Sequence, residues 1–176
     1  MPRYALLVNS EKCVGCFACL VACQQQNQLP PEQALIRFED REKGKFPNVS
    51  YRIIPLQCQH CSDAPCVPVC PTSASHKDNT GVTLIDDEKC MGCRRCMAVC
   101  PYNARVYRPE EGIVAACNLC LSLVAAGQEP ACVATCLTKA RLFGDLDNPQ
   151  GDFARLLAKA APLRPDFGTK PTVLYI

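Results

Sequence analysis

The sequence predicts an α+β chain of short strands, short helices and long loops, arranged as two nested repeats of one cysteine-loop module. Three observations predict it. The 176 residues hold sixteen Cys in four regularly spaced groups of four, with none left over. Fifteen Pro, no Trp and only 6% aromatic residues leave little for a large aromatic core, so something other than side-chain burial must organise the chain. The second and third groups share a Cys-Pro ending and are separated by only nineteen residues, whereas the first and fourth lack that Pro and flank them, with Gln24 and Leu137 in its place.

The groups are Cys13, Cys16, Cys19 and Cys23; Cys58, Cys61, Cys66 and Cys70; Cys90, Cys93, Cys96 and Cys100; and Cys117, Cys120, Cys132 and Cys136. The first and third are spaced C-x2-C-x2-C-x3-C, the second has four residues in its middle gap, and the fourth has eleven. A tight loop with a thiolate every third residue wraps one side of an iron–sulfur cubane. The fourth Cys, on the helical turn leading away, faces a different metal, as in bacterial ferredoxins. Two complete motifs therefore make two [4Fe–4S] clusters by exchanging their last ligands, and four motifs make four.

Other uses of cysteine fit less well. A disulfide framework belongs to smaller secreted domains. A zinc-binding structural module would use separated C-x2-C pairs, a pattern that only the fourth group resembles. His60 and His76 are surplus as ligands, since each group already supplies four thiolates, and a Rieske-type site would have to replace Cys with His. His60 is expected to bond a sulfur or to lie near a quinone pocket at an interface. Arg94 and Arg95, inside the third loop, are read equally as cations that tune a cluster and as a solvated or partner-facing pair.

Four clusters also change the charge. The formal +2 counts each Cys as a neutral thiol; a thiolate-ligated cluster carries roughly −2, taking the total from +2 to about −6. The apo pI near 7.9 thus points to no nucleic-acid partner. No stretch of about 18 apolar residues occurs, and the apolar segment near the N-terminus is too short for a signal peptide, so any export or membrane attachment is expected through a partner. No P-loop, Ser-His-Asp set or paired-carboxylate signature stands out, and the chain is read as a non-catalytic electron carrier.

Along the chain, Tyr4–Val8 is an expected strand and Ala18–Gln25 one or two helical turns. Residues 28–48, with the charged stretch Arg37–Lys45, form an expected surface excursion. Val49–Leu56 is a strand, residues 71–81 are turn-rich, and Val82–Ile85 is a strand that delivers Cys90. Tyr102–Tyr107 and Gly112–Ala116 make a hairpin. Asp152 caps a helix over Asp152–Ala161 that Pro162 and Pro165 end, and Thr172–Ile176 closes the chain as a strand. The expected units are residues 1–56 as the first flank of the outer module with the excursion, 57–110 as the inner ferredoxin-like module, 111–147 as the second flank, and 148–176 as a terminal helix and strand.

The four groups, the Cys66-Val-Pro-Val-Cys70-Pro71 segment and the Phe143-Gly-Asp-Leu-Asp147 segment together resemble the four-cluster subunits of the dimethyl sulfoxide reductase family, most of all the polysulfide or thiosulfate reductase iron–sulfur subunit. The likeness runs from Pro2-Arg3-Tyr4 through Gly168-Thr169-Lys170-Pro171 to Tyr175. It implies that Cys13, Cys16, Cys19 and Cys136 hold one cluster and Cys117, Cys120, Cys132 and Cys23 a second. Cys58, Cys61, Cys66 and Cys100 hold a third, and Cys90, Cys93, Cys96 and Cys70 the fourth. Some members replace a Cys of the third group; here all four are present.

The resemblance further implies a molybdenum- or tungsten-bis(pyranopterin) catalytic subunit and an integral-membrane quinone-reactive subunit as partners. The complex is expected to lie at the membrane, on the periplasmic side through partner-dependent export, with a cytoplasmic site as the other possibility. The competing complexes are formate dehydrogenase and hydrogenase.

Overall fold

The computed structural model describes residues 1–176. Its only sheet of more than two strands joins the two ends of the chain. Strand β1 (Tyr4–Val8) pairs antiparallel with β8 (Arg141–Asp145) and parallel with β9 (Val173–Tyr175), giving the order β8-β1-β9. Ala5, Leu6, Leu7 and Val8 are all fully buried, so this strand is covered on both faces, as its unbroken apolar run requires. One face meets Phe153 of helix α5 (Gly151–Leu157); the other meets Leu35, Ile36, Ile54, Leu56 and Leu119.

The remaining strands form three hairpins. Strands β2 (Arg37–Lys45) and β3 (Asn48–Leu56) pair over their whole length, Arg37 opposite Leu56 and Lys45 opposite Asn48. The expected excursion is therefore a strand over Arg37–Lys45, a correction whose reason is pairing rather than propensity. Most of the hairpin is solvated on both faces, so no alternation of apolar residues marks it. Strands β4 (Ser75–Lys77) and β5 (Thr83–Ile85) pair within and beyond the expected turn region, and β6 (Arg105–Arg108) and β7 (Ile113–Ala116) form the expected hairpin with a later start.

The helices are short: α1 (Ala18–Gln26), α2 (Arg95–Ala98), α3 (Leu121–Ala125), α4 (Ala131–Ala134) and α5. Helix α5 begins after Gln150 in extended conformation, placing Asp152 in the first turn instead of at the cap, and it ends at Leu157. Pro162 and Pro165 thus lie beyond its end, and Pro165 opens a 3₁₀ turn over Pro165–Phe167. Carboxylates still favour a first turn, where free backbone N–H groups point. No helix is long and apolar enough to cross a membrane.

Candidate iron–sulfur centres

Each cysteine group is built on the same backbone device. The second residue after the group's first Cys has a positive φ in all four cases: Gly15 (64°), His60 (45°), Gly92 (64°) and Leu119 (51°). A left-handed residue there turns the chain sharply enough for the flanking thiols to face one side. His60 and Leu119 adopt it despite a cost of about 1–2 kcal/mol for a residue with a Cβ. A second repeat follows the last Cys of three groups. The third residue onward is again left-handed, at Ser73 (56°), Asn103 (47°) and Lys139 (52°). Next comes Ala74, Ala104 or Ala140, and then Ser75, Arg105 or Arg141 at the start of a strand. These turns aim backbone N–H groups at sulfur. Ser75 donates to Cys70 Sγ (3.4 Å), Ala104 to Cys100 Sγ (3.5 Å) and Ala140 to Cys136 Sγ (3.2 Å).

The cysteines converge across the groups. One cavity is lined by Cys13, Cys16, Cys19 and Cys136, a second by Cys23, Cys117, Cys120 and Cys132, and a third by Cys70, Cys90, Cys93 and Cys96. Of the remaining four, Cys58, Cys61 and Cys66 are buried together with Cys96 in one apolar cluster, against which Cys90, Cys100 and Cys117 pack. The last Cys of each group thus faces thiols of another group.

Burial dominates the thiols' acidity. It pushes Cys58 up to about 12, with Cys66 and Cys100 adding to the rise, and Cys23 up to about 12, with Cys132 and Cys120 adding to it. Cys19, Cys61, Cys96, Cys117 and Cys120 are raised as well, chiefly by burial. At Cys70 the burial effect is small enough for the N–H of Ser75 and the Thr72 side chain to bring the thiol below its usual value. Ligand thiols must lose their protons to bind metal, so loading releases protons and weakens as pH falls.

Burial separates the four sets. Cys16 and Cys93 are exposed, each in the loop of a different cavity. Around Cys16 stand Val14, Phe17, Val21 and Leu137, which are 64%, 48%, 59% and 83% exposed; beside Cys93 stands Met91, 65% exposed. The set of Cys58, Cys61, Cys66 and Cys100 and the set of Cys23, Cys117, Cys120 and Cys132 have no exposed member.

Two arginines absent from the expected site belong to it. Arg105 Nη2 donates to Cys66 Sγ and to Ser75 Oγ, both at 2.9 Å. Arg141 Nη2 donates to Gln57 Oε1 (2.7 Å), and its Nη1 lies 3.9 Å from Cys19 Sγ. The signal that would have found them is the repeat itself, Ala-Arg four and five residues after Cys100 and again after Cys136. Lys77 was also missed; its Nζ donates to the Cys61 carbonyl (2.6 Å).

His60 is fully buried; its Nδ1 accepts from the Thr83 N–H (3.2 Å), and its Nε2 has no protein partner. His76 Nδ1 lies 3.0 Å from the Ala74 carbonyl oxygen. Arg94 is exposed, stacks its guanidinium 3.5 Å over the Tyr107 ring and lines the cavity of Cys90 and Cys93; Arg95 is exposed at the start of α2.

The donor set fits iron–sulfur clusters on several counts: four thiols per site, peptide N–H groups aimed at sulfur, and buried guanidinium N–H groups with no protein acceptor at Arg105 Nη1 and Arg141 Nε. Known proteins agree. Residues 49–146 match the family described as 4Fe-4S dicluster domain, and residues 12–74 match a second family with the same description. The chain is 40% identical to the protein NrfC of Escherichia coli over 181 residues, covering 99% of this chain and 80% of the relative. It is 39% identical over 151 residues to the thiosulfate reductase electron transfer subunit PhsB of Salmonella typhi, covering 84% and 79%. Over 224 residues it is 33% identical to the arsenate respiratory reductase iron–sulfur subunit ArrB of a Shewanella species, covering 99% and 96%. The chain belongs to the 4Fe–4S dicluster family, among the non-catalytic electron-transfer subunits of the dimethyl sulfoxide reductase family.

Proposed function

We propose that the chain binds four [4Fe–4S] clusters in two nested pairs and conducts electrons between an integral-membrane quinone-reactive subunit and a molybdenum- or tungsten-bis(pyranopterin) catalytic subunit. The enzyme so served is a respiratory reductase of the polysulfide or thiosulfate type, with this chain peripheral to the membrane on its periplasmic side. The observation that supports the reading is the convergence of twelve of the sixteen cysteines, four at a time, around three cavities. The ligand sets are Cys13, Cys16, Cys19 and Cys136; Cys23, Cys117, Cys120 and Cys132; Cys58, Cys61, Cys66 and Cys100; and Cys70, Cys90, Cys93 and Cys96.

When bound, a cluster of this kind takes up and gives back one electron at a time. The protein's own residues set the conditions for that. The N–H groups of Ser75, Ala104, Val114 and Ala140 donate to ligand sulfurs, which favours the more negative, reduced state. Burial of Cys58, Cys61 and Cys66 on one side and Cys23, Cys120 and Cys132 on the other keeps water from the middle of the path. The exposed Cys16 and Cys93 loops bring its two ends to the surface. Their fringe of Val14, Phe17, Leu137 and Met91 suits burial against partner proteins.

Iron and acid-labile sulfide analysis of the anaerobically purified chain tests the cofactor: about sixteen iron and sixteen sulfide per chain are expected. A content near eight, or zinc in place of iron, overturns it. Purification of the intact complex with mass spectrometry tests the role: a pterin-containing catalytic subunit is expected, and a partner set without one overturns the assignment.

A further inference from the structure

Arg105 and Arg141 carry positive charge into the interior with no carboxylate to meet it. They are 3% and 1% exposed, and neither takes part in any ion pair of the chain. A buried cation without a counter-charge is unfavourable, so their partner must be something else. Both sit five residues after the last Cys of a group, one in each half of the cysteine framework. Each touches two ligand sets. Arg141 stands in the wall of the cavity of Cys13, Cys16, Cys19 and Cys136 and also in that of Cys23, Cys117, Cys120 and Cys132. Arg105 lines the cavity of Cys70, Cys90, Cys93 and Cys96 while donating to Cys66 Sγ of the neighbouring set. Gln57 and Ser75 hold the two side chains in these positions.

We propose that Arg105 and Arg141 are paired tuning cations, each shared by the two clusters of one module and raising both of their reduction potentials together. The inference rests on the four-cluster grouping proposed above. Reduction adds a negative charge to a cluster, and a fixed cation in a poorly screened interior favours that state. Because one charge lies between two sites, it moves both in the same direction.

The test uses the whole chain carrying Arg105→Gln or Arg141→Gln. Iron and sulfide are counted first, and the clusters are then titrated potentiometrically with paramagnetic resonance detection. Arg105→Gln is expected to load as the wild type does and to lower two of the four potentials, leaving the other two in place. Arg141→Gln is expected to lower the other two. At a fixed ambient potential, each affected centre should lose at least tenfold in its ratio of reduced to oxidised form, which is about 59 mV for one electron. Loaded variants with four unmoved potentials, with one shifted centre, or with four shifted centres overturn the proposal. Where a Gln variant does not load, the Met variant takes its place. It is unbranched and uncharged, so a fall in the same two centres is expected, and no fall overturns the proposal. Wild-type iron far below sixteen overturns the grouping and this inference together. Full iron with unmoved potentials overturns this inference alone.

Discussion

The proposed inner module, about residues 57–110, and the proposed outer module of the two flanks share one left-handed turn in their cysteine loops but differ in what surrounds them. Half of the buried residues in the cluster around the inner cysteines are themselves cysteines: Cys58, Cys61, Cys66 and Cys96 beside Ala64, Tyr102, Ala104 and, from the flank, Val114. The cluster under the β8-β1-β9 sheet is mostly aliphatic, with Leu35, Ile36, Ile54, Leu56 and Leu119 against Leu6 and Val8 of β1, and it takes in Val82 from the inner stretch. Charge differs too. Arg105 Nη2 meets Cys66 Sγ directly at 2.9 Å, and Lys77 bonds the Cys61 carbonyl, whereas Arg141 Nη1 stands 3.9 Å from Cys19 Sγ. On the proposed reading, the flanking stretches have an aliphatic core of their own, whereas the stretch 57–110 depends chiefly on what its cysteines bind.

Removal of the clusters should break that comparison most visibly. After anaerobic extraction with a chelator, hydrogen exchange is expected to lose protection across β4, β5, β6 and β7, while β1, β8 and β9 keep theirs. The sheet retains its buried Leu6, Leu7, Val8 and Val173 without metal, and opening free energy follows such buried contacts. Loss of protection in both regions together would mean that the aliphatic core does not stand alone.

A smaller effect separates two equivalent glycines. Gly15 and Gly92 occupy the same left-handed position in their loops, at φ 64° each. A Cβ on Gly15 would strike the end of the Ile53 side chain, which can swing away, but one on Gly92 would strike the carbonyl oxygen of Gly112, which cannot. Gly15→Ala is therefore expected to cost about 1–2 kcal/mol from backbone strain alone. Gly92→Ala should cost about 1–3 kcal/mol more. Urea midpoints followed through cluster absorbance measure the difference, and equal midpoints would remove the asymmetry.

The parts of this molecule that were legible in the sequence are those where one residue type has one use. Sixteen cysteines in four spaced groups point to their cofactor because thiolates at that spacing have few other occupations. Tyr4–Val8 reads as a strand because five apolar residues there leave no amphipathic alternative. Arg37–Lys45 did not read as a strand, since seven of its nine residues are charged and pairing with β3 supplies what the side chains do not. Arg105 and Arg141 were hidden for a related reason. A lone arginine at a strand start normally points to water, and burial becomes intelligible only when two ligand sets are seen on either side of it. Arg94 and Arg95, the arginines that the loop itself displays, are exposed.

The smallest predicted difference concerns the two tyrosines that tie the C-terminal segment down. Tyr102 Oη shares one hydrogen bond with Thr169 Oγ1 (2.7 Å), so Tyr102→Phe should cost about 0.5–1.5 kcal/mol. Tyr175 Oη accepts from Gln59 Nε2 (3.1 Å) and donates to the Pro55 carbonyl (3.2 Å), anchoring the last strand to the entrance of the inner module. Its loss removes two buried hydrogen bonds at once and should cost about 1–3 kcal/mol. The two also separate at high pH. Burial pushes the Tyr175 hydroxyl up to about 12 from its ordinary 10. The unfolded chain therefore releases that proton first, and stability falls as pH rises from 10 toward 12. Tyr175→Phe should lose less stability than the wild type across that window, although it starts lower at neutral pH. An unchanged alkaline slope in Tyr175→Phe would show that the last strand is held by its aliphatic neighbours alone.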